Sequence, residues 1–201
     1  MGIAQKLLVA STNPGKLVEF RELMADLSVE WLSLTDIGLD HMDVEETGDT
    51  FAANAILKAQ TYSAASGLPT LADDSGLVVD ALRGAPGVYS ARYAPTAPER
   101  NAKLLNALDG IPFEKRTARF VSVIAVALPE GILITAEGSV EGRVGLSGSV
   151  PRGKNGFGYD PVFVLDSGAT MAELPSSEKN AISHRGRALV KIHPILRCLF
   201  T

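Results

Sequence analysis

The sequence predicts an α/β protein in which one two-lobed domain is built around a mixed β-sheet flanked by helices. The first observation is that short apolar runs alternate with helical patterns in the first half of the chain. The second is a pair of long apolar runs, 118–128 and 131–138, which meet at Pro129 and Glu130 and are typical of an antiparallel hairpin. No internal repeat, low-complexity segment or clear linker divides residues 1–201, so we expect a single domain.

The first elements follow in the order strand, loop, helix. An apolar run at 6–10 predicts a buried strand, and the turn-forming residues 11–15 end it. Apolar side chains at helical spacing follow, and residues 31–34 predict a second short strand. Thr50 is the expected N-cap of an Ala-rich helix over 51–66.

Further elements flank the predicted hairpin. Residues 70–72 and 77–81 predict two strands, one on each side of an Asp-Asp-Ser-Gly segment. Helices are expected over 100–108 and 182–199. Pro194 should end the last helix early or kink it, because proline donates no backbone hydrogen bond.

The composition argues against several classes of protein. A single cysteine, Cys198, cannot form an intramolecular disulfide, which excludes a disulfide-stapled secreted scaffold. The 19 basic and 23 acidic side chains give a net charge of −4, so no nucleic-acid partner is expected. The chain shows neither a signal-peptide pattern nor an apolar run of the roughly 20 residues that span a bilayer. We therefore expect a soluble cytoplasmic protein with no membrane partner.

The charge is unevenly distributed along the chain. Residues 1–50 carry 3 basic and 10 acidic side chains, whereas residues 143–201 carry 8 and 4. Two interpretations remain open: a solvated surface, or an acidic, metal-holding part opposite a basic, anion-holding part. The second would suit a phosphorylated substrate with a divalent cation.

A polar loop leads from the first strand to the first helix. Its residues are Ser11, Thr12, Asn13, Pro14, Gly15 and Lys16. Backbone N–H groups at a helix start attract phosphate, and Lys16 adds a positive charge. The loop is not a P-loop, because Ala10 stands where the first glycine would be and Leu17 follows the lysine. It is either an ordinary helix N-cap or a phosphate-binding loop.

Two carboxylate pairs, Glu45-Glu46 and Asp73-Asp74, are the candidates for acid–base or metal chemistry. Neighbouring side chains of a strand point to opposite faces, so only one aspartate of the second pair is expected at a given site. That carboxylate could bind Mg²⁺ while polarising or deprotonating a water. The alternatives are an Asx turn for the aspartates and solvated surface for the glutamates.

Two later segments carry groups suited to a nucleobase. Phe157 lies between two glycines, which predicts either an exposed stacking platform or a turn with the ring in the core. His184 and Arg185 open the last predicted helix, with Lys179 just upstream. These three are hydrogen-bond donors, or else ordinary charges at a helix N-terminus.

Seven ordered motifs resemble the non-canonical purine nucleoside triphosphate pyrophosphatases (inosine/xanthosine triphosphate pyrophosphatases). The resemblance extends from Leu8 to Leu189. The motifs are residues 11–16, 45–48, 54–59, 72–77, 84–92, 156–161 and 178–186.

This resemblance implies an elongated, two-lobed α/β fold, a homodimer, and Mg²⁺-dependent hydrolysis of ITP, dITP and XTP to the nucleoside monophosphate and pyrophosphate. It implies that Asp74 is the proton acceptor and a metal ligand, with Glu46, favoured over Glu45, as the second ligand. The substrate-binding residues that it implies are Ser11, Thr12, Asn13, Pro14, Gly15, Lys16, Lys58, Ser75, Phe157, Gly158, Tyr159, Asp160, Lys179, His184 and Arg185.

The expected mechanism is electrostatic. Lys16 and Lys58 would neutralise charge on the phosphates, and a cation beside Asp74 should lower the pKa of its carboxyl. Donors such as Lys179 would accept inosine and xanthosine through the keto oxygen at position 6 and reject adenosine, while the residue that excludes GTP is not identified. All of these residues are expected around one cleft.

Three other functions remain open at this point. The chain could be a related pyrophosphatase for pyrimidine or modified nucleotides, or a nucleotide sensor without hydrolysis. The two carboxylate pairs argue against a sensor, since a pure anion binder gains nothing from acids beside phosphate. The third, a nucleic-acid-binding domain, is disfavoured by the acidic balance.

Overall fold

The computed structural model describes residues 5–200, and for Pro14 the backbone alone. Its strands are β1 (Gln5–Val9), β2 (Val29–Ser33), β3 (Thr70–Val79), β4 (Thr117–Ala127), β5 (Leu133–Val144) and β6 (Phe163–Val164). Its α-helices are α1 (Pro14–Leu23), α2 (Phe51–Ser66), α3 (Ala97–Ala107), α4 (Ser176–Ile182) and α5 (His184–Leu199). Short 3-10 helices lie in several of the connections.

The strands form one six-stranded sheet in the order β2-β1-β3-β4-β5-β6. Strand β1 runs parallel to β2 and β3, whereas β5 and β6 are antiparallel, so the sheet is mixed. The predicted α/β class with a mixed sheet is therefore confirmed. A turn at Pro129 and Glu130 joins β4 to β5, at the position that the sequence predicts.

Two details differ from the sequence prediction. Strand β3 is continuous through Asp73 and Asp74, where two separate strands were expected, so both aspartates lie inside a strand. Helix α5 continues past Pro194 to Leu199, so the predicted early end is wrong. Because Leu196 is buried in the core beyond the proline, packing retains the last turn despite the missing hydrogen bond.

Helix α2 has the bounds that its capping residues predict. The Thr50 hydroxyl accepts a hydrogen bond from the Ala53 N–H at 3.1 Å, which satisfies one free donor at the helix start. Gly67 ends the helix in the left-handed conformation, at φ 68°, where glycine carries no steric penalty. The helix therefore presents a fixed face, and Ala55 and Ala59 on that face are fully buried.

The chain divides into two compact units. Within the described residues, unit 1 comprises the chain up to Asp74, Ser122–Gly138, and the chain from Arg185 onward. Unit 2 comprises Ser75–Val121 and Ser139–His184. Across residues 5–200, no helix has the length and apolar content needed to cross a membrane.

Unit 1 buries both faces of its strands. On β1, Leu7 and Val9 belong to a core that also contains side chains of α1 and α5. Leu8, between them in sequence, belongs to a second core formed with α2. Because side chains alternate along a strand, consecutive residues of β3 likewise enter different cores, Leu71 the first and Ala72 the second. This alternation decides where the two following aspartates point.

Unit 2 has its own hydrophobic core. The core contains side chains from the second part of β3, from α3, from the first part of β4 and from β5. Arg116 is buried at its edge and donates three hydrogen bonds to the backbone oxygens of Leu108, Ile111 and Gly145. A guanidinium that is fully engaged in this way ties loops together without leaving a buried charge unsatisfied.

Candidate active site

The polar loop before α1 forms a side-chain cap. The Asn13 side chain accepts a hydrogen bond from the Gly15 N–H at 2.9 Å, and the Ser11 hydroxyl accepts one from the Asn13 N–H at 3.2 Å. Helix α1 begins at Pro14, where a missing N–H costs nothing. The cap holds the first turn of α1 in place and so fixes Lys16, which lies within it.

Asp73 points to the α1 and α5 side of the sheet, as the alternation on β3 requires. Its carboxylate lies 2.9 Å from the Lys16 ammonium and 3.1 Å from a terminal nitrogen of the Arg185 guanidinium. Glu19, one helical turn after Lys16, forms the second ion pair of Arg185. Burial opposes ionisation of Asp73, but Lys16, Arg185 and Lys58 outweigh it and hold the pKa of this carboxyl far below its usual range.

Asp74 points to the opposite side, toward α2. Its Oδ2 accepts a hydrogen bond from the Asn54 side chain at 3.1 Å, and its Oδ1 lies 3.8 Å from the Lys58 ammonium. The same ammonium is 2.5 Å from the Glu46 carboxylate. Lys58 therefore lies within ion-pair distance of both carboxylates that the resemblance implies as metal ligands, and it is largely buried rather than a surface lysine.

Burial disfavours the charged forms of both Asp74 and Lys58, and nearby charges modify its effect on each pKa. It raises the pKa of Asp74, against the opposing charge of Lys58. The charge of Glu46 acts in the same direction as burial. The expected lowering of the Asp74 pKa concerns the carboxyl beside a bound cation, and it stays a prediction. Burial also opposes the charge on Lys58, yet Asp74, Asp73 and Glu46 together raise the pKa of this lysine. We call Lys16, Glu46, Lys58, Asp73 and Asp74 the carboxylate–lysine cluster.

The segment of residues 156–160, the Phe157 loop, lies in unit 2. The Asp160 carboxylate accepts a hydrogen bond from the Phe157 N–H at 2.8 Å and pairs with the Lys179 ammonium at 3.1 Å. The ammonium lies 4.8 Å from the centre of the Phe157 ring, within cation–π distance. The ring is 38% exposed, so the interpretation of Phe157 as an accessible platform is favoured over burial in the core.

Hydrogen bonds to other segments of unit 2 hold the Phe157 loop in place. The Tyr159 hydroxyl donates to the Ser90 carbonyl at 2.9 Å, and the Asn101 amide donates to the Gly158 carbonyl at 3.2 Å. Gly156 has φ +76°, and a side chain there would overlap the Asp160 carboxylate. Glycine is therefore required at this position for the turn and for the close approach.

His184 is the last residue of unit 2, and its side chain is buried. Its ring stacks on Phe120 with centroids 5.0 Å apart and planes inclined by 18°. Phe120 in turn packs against Phe163 at 4.5 Å. The imidazole is thus held at a fixed orientation by an aromatic stack.

The predicted site residues fall into two groups. In unit 1, contacts join Lys16 to Asp73 and Lys58 to Glu46 and Asp74. In unit 2, contacts join Phe157, Asp160 and Lys179. Thr12 is exposed, whereas Ser11 and Ser75 are half-buried.

Arg185 belongs with the first group. Its guanidinium is 1% exposed and contacts Asp73 and Glu19 in unit 1. A role for Arg185 beside the base stays a prediction.

Glu19, Asn54 and Phe120 are among the residues of these networks that had no role in the sequence prediction. Asn54 precedes Lys58 by four residues and Glu19 follows Lys16 by three, spacings that place side chains on one helix face. This periodicity is the signal that could have identified them. Phe120 gave no such signal, because its contact with His184 joins residues far apart in the sequence.

Comparisons with known proteins agree with this architecture. Residues 7–195 match the model of the Ham1 family. The dITP/XTP pyrophosphatase of Symbiobacterium thermophilum is 50% identical over 188 residues, which cover 93% of this chain and 92% of the relative. The dITP/XTP pyrophosphatase of Geobacillus kaustophilus is 52% identical over 192 residues, with coverages of 94% and 92%.

The fold is also found among solved structures. A HAM1 protein from Coxiella burnetii superimposes with a TM-score of 0.86 and 44% identity, covering 96% of this chain and 98% of the other. The dITP/XTP pyrophosphatase from Mycobacterium abscessus superimposes with a TM-score of 0.76 and 45% identity, with coverages of 94% and 100%. The family match spans most of the chain, and the resemblance inferred from the seven motifs is confirmed. The chain belongs to the Ham1 family.

Proposed function

We propose that this chain is a nucleoside triphosphate pyrophosphatase that hydrolyses the non-canonical purine nucleotides dITP, ITP and XTP to the monophosphate and pyrophosphate. The observation that carries the proposal is the position of Lys58, which contacts the carboxylates of both Glu46 and Asp74. Two relatives about half identical to this chain bear the name dITP/XTP pyrophosphatase, which supports the substrate class.

In the proposed reaction, a water oxygen attacks the α-phosphorus, the α–β phosphoanhydride bond breaks, and pyrophosphate leaves. Asp74 accepts the proton of the attacking water as a general base. Lys16 and Lys58 neutralise the negative charge that grows on the phosphate oxygens. The positive end of the α1 helix dipole, where Lys16 lies, favours binding of the phosphates.

Mg²⁺ is the proposed cofactor, with Glu46 and Asp74 as its protein ligands. Two carboxylates within 4.0 Å of one ammonium form a site that already holds a positive charge, and their hard oxygens suit Mg²⁺. Among residues 5–200, no group of three or more His, Cys, Asp or Glu side chains could hold a metal. Mg²⁺ commonly uses one or two carboxylates together with substrate phosphates and water. When bound, it would polarise the phosphate oxygens.

The base half of the substrate is assigned to unit 2. The Phe157 ring stacks on the purine, while Gly158, Tyr159 and Asp160 shape the loop that carries the ring. Lys179 and His184 provide donors for the keto oxygen at position 6. Adenine presents an amino group there, which leaves such a donor unpaired at about 1–3 kcal/mol. This difference supports rejection of ATP.

The assembly and location follow the same resemblance. We propose that the protein is a homodimer located in the cytoplasm. Its proposed binding partner is a purine nucleoside triphosphate, and neither nucleic acid nor a membrane is proposed as a partner. Light scattering after size-exclusion chromatography measures the mass in solution, and a mass near the 21.2 kDa of one chain would contradict the dimer.

A panel of nucleoside triphosphates tests the activity. Pyrophosphate release is measured from dITP, ITP, XTP, ATP, GTP, dTTP and dUTP, each with and without Mg²⁺. We expect release from the first three in the presence of Mg²⁺. Preferential turnover of dTTP or dUTP would favour a pyrimidine enzyme instead, and binding of dITP without any release would favour a nucleotide sensor.

A further inference from the structure

A buried amide on α2 links the Asp74 carboxylate to the loop that carries Glu46. The side chain is that of Asn54, which is 0% exposed. Its Oδ1 accepts a hydrogen bond from the Gly48 N–H at 2.8 Å, and its Nδ2 donates to Asp74 Oδ2 at 3.1 Å. One side chain therefore connects two segments of unit 1 that carry the proposed metal ligands.

The orientation of this amide follows from hydrogen-bond chemistry. A backbone N–H can only donate, so the Asn54 atom that faces Gly48 must be the oxygen. The nitrogen then has to face Asp74, whose ionised carboxylate can only accept. Neither partner tolerates a flipped amide, and the two contacts therefore fix one rotamer of Asn54.

Gly48 gives independent evidence for this close approach. A Cβ at Gly48 would lie 2.7 Å from Asn54 Oδ1 and 2.7 Å from the Ala53 Cβ. Both distances are shorter than real Cβ contacts allow, so any side chain at position 48 would force the amide away. Glycine is required here for the approach of its backbone to Asn54.

The position of Asn54 on the helix completes the arrangement. Asn54 and Lys58 are four residues apart on α2 and therefore lie on one face. Asn54 contacts Oδ2 of Asp74, while Lys58 lies near Oδ1. Helix α2 thus orients the carboxylate through a neutral donor at one oxygen and a charge at the other.

We infer that Asn54 is a positioning residue, which holds the Asp74 carboxylate in the orientation needed to accept the proton of water. This inference rests on the proposed function, in which Asp74 is the proton acceptor. An asparagine is a poor helix former and is costly to bury unless hydrogen-bonded, so a merely structural position would favour an apolar side chain. Both of its contacts lead to the segments that carry Asp74 and Glu46.

The test compares two substitutions of Asn54 with a control on the same helix. N54D keeps the acceptor for Gly48 but replaces the donor to Asp74 by an oxygen, whereas N54L removes both groups. S63A removes the hydrogen bond that the buried Ser63 hydroxyl donates to the Leu68 carbonyl, and neither residue belongs to the cluster. Each variant is assayed for kcat and KM with dITP, and for its melting temperature.

We expect N54D and N54L to lower kcat about 10–100-fold while KM changes less than about threefold, because substrate contacts remain. S63A should keep the kcat of the wild type, whatever its melting temperature. Wild-type kcat in folded N54D would overturn the inference, since that variant has no donor for Asp74 and places a second carboxylate oxygen beside it. Should both Asn54 variants fail to fold, G48A provides the same test by displacing the amide.

A structural measurement separates this inference from the proposed function. In a crystal structure of N54L, or of G48A if N54L does not fold, the Asp74 carboxylate should turn away from its wild-type orientation. An unmoved carboxylate would overturn the inference, whatever the kinetics. If the wild type hydrolyses none of the triphosphates, the proposed function fails, yet the orientation of Asp74 in this variant still decides the role of Asn54.

Discussion

The carboxylate–lysine cluster of unit 1 and the Phe157 loop of unit 2 are built on different principles. In the cluster, five charged side chains are each held by charges of opposite sign on neighbouring elements. In the loop, one buried ion pair, Lys179 with Asp160, supports an aromatic ring that remains partly exposed. The first region holds its charges in fixed positions, and the second presents an apolar surface.

This difference indicates how each region contributes to the proposed reaction. Charges that are fixed before substrate binds stabilise developing charge without reorganisation, which affects the rate. An exposed ring gains contact area with any purine, which affects binding. Substitutions in the cluster should therefore alter kcat or folding stability, and substitutions in the loop should alter KM.

The largest effect is expected from Asp74→Asn, which removes the proton acceptor and one proposed metal ligand. We expect kcat to fall about 10²–10⁴-fold while the fold persists, because an amide replaces the carboxylate without a change of size. Pyrophosphate release from dITP and circular dichroism measure the two effects. Activity near that of the wild type would remove Asp74 from this role and leave the cluster without its base.

Asp73→Asn should act on stability rather than on chemistry alone. The variant leaves the buried charges of Lys16 and Arg185 without their shared partner, at a cost of about 3–5 kcal/mol in the free energy of unfolding. Urea titration measures this cost. The control is Asp166→Asn, which breaks an exposed ion pair with Arg143 and should change stability little.

The same variant has a defined pH dependence. The pKa of Asp73 is depressed in the folded state, so its contribution is fully present above the ordinary value of 3.8. The contribution is lost only as the pH falls below that value, toward the lower pKa of the folded state. The stability difference between wild type and Asp73→Asn should therefore be constant from pH 7 to about pH 5. A difference that disappears in this range would contradict a strongly paired Asp73.

The glutamate pair offers a matched comparison inside unit 1. Glu46 contacts Lys58, whereas Glu45 is exposed. We expect Glu46→Gln to raise the half-saturating Mg²⁺ concentration about 10–100-fold, and Glu45→Gln to leave it unchanged. Metal titrations of dITP hydrolysis measure both, and the reverse order would assign the metal to Glu45.

The smallest effect is expected in the loop, from Phe157→Ala. Loss of stacking costs about 1–3 kcal/mol of binding, so KM should rise about tenfold or more for every purine substrate, with kcat changed little. Leu146→Ala, at another exposed apolar position of unit 2, is the control. A rise in KM for only one purine base would contradict simple stacking. It would indicate that the Phe157 loop does more than present an apolar surface.

Much of the fold could be predicted from local patterns. Thr50 and Gly67 are cap residues that specify the bounds of α2, and the two runs that meet at Pro129 and Glu130 specify the hairpin. The continuity of β3 could not be predicted, because Asp73 and Asp74 are typical turn residues. Their strand conformation is stabilised by charges on three separate helices, which no local pattern reveals.

The sequence by itself determined most element types, the mixed α/β class and the residues proposed to carry chemistry, because these follow from periodicity, capping and residue type over short distances. Only the tertiary structure decided which of the charged side chains contact one another. It directed Asp73 to Lys16 and Arg185, and Asp74 to Asn54 and Lys58. The physical reason is that successive side chains of a strand point to opposite faces of the sheet. Which helix covers each face depends on the burial of apolar residues that are distant in the sequence.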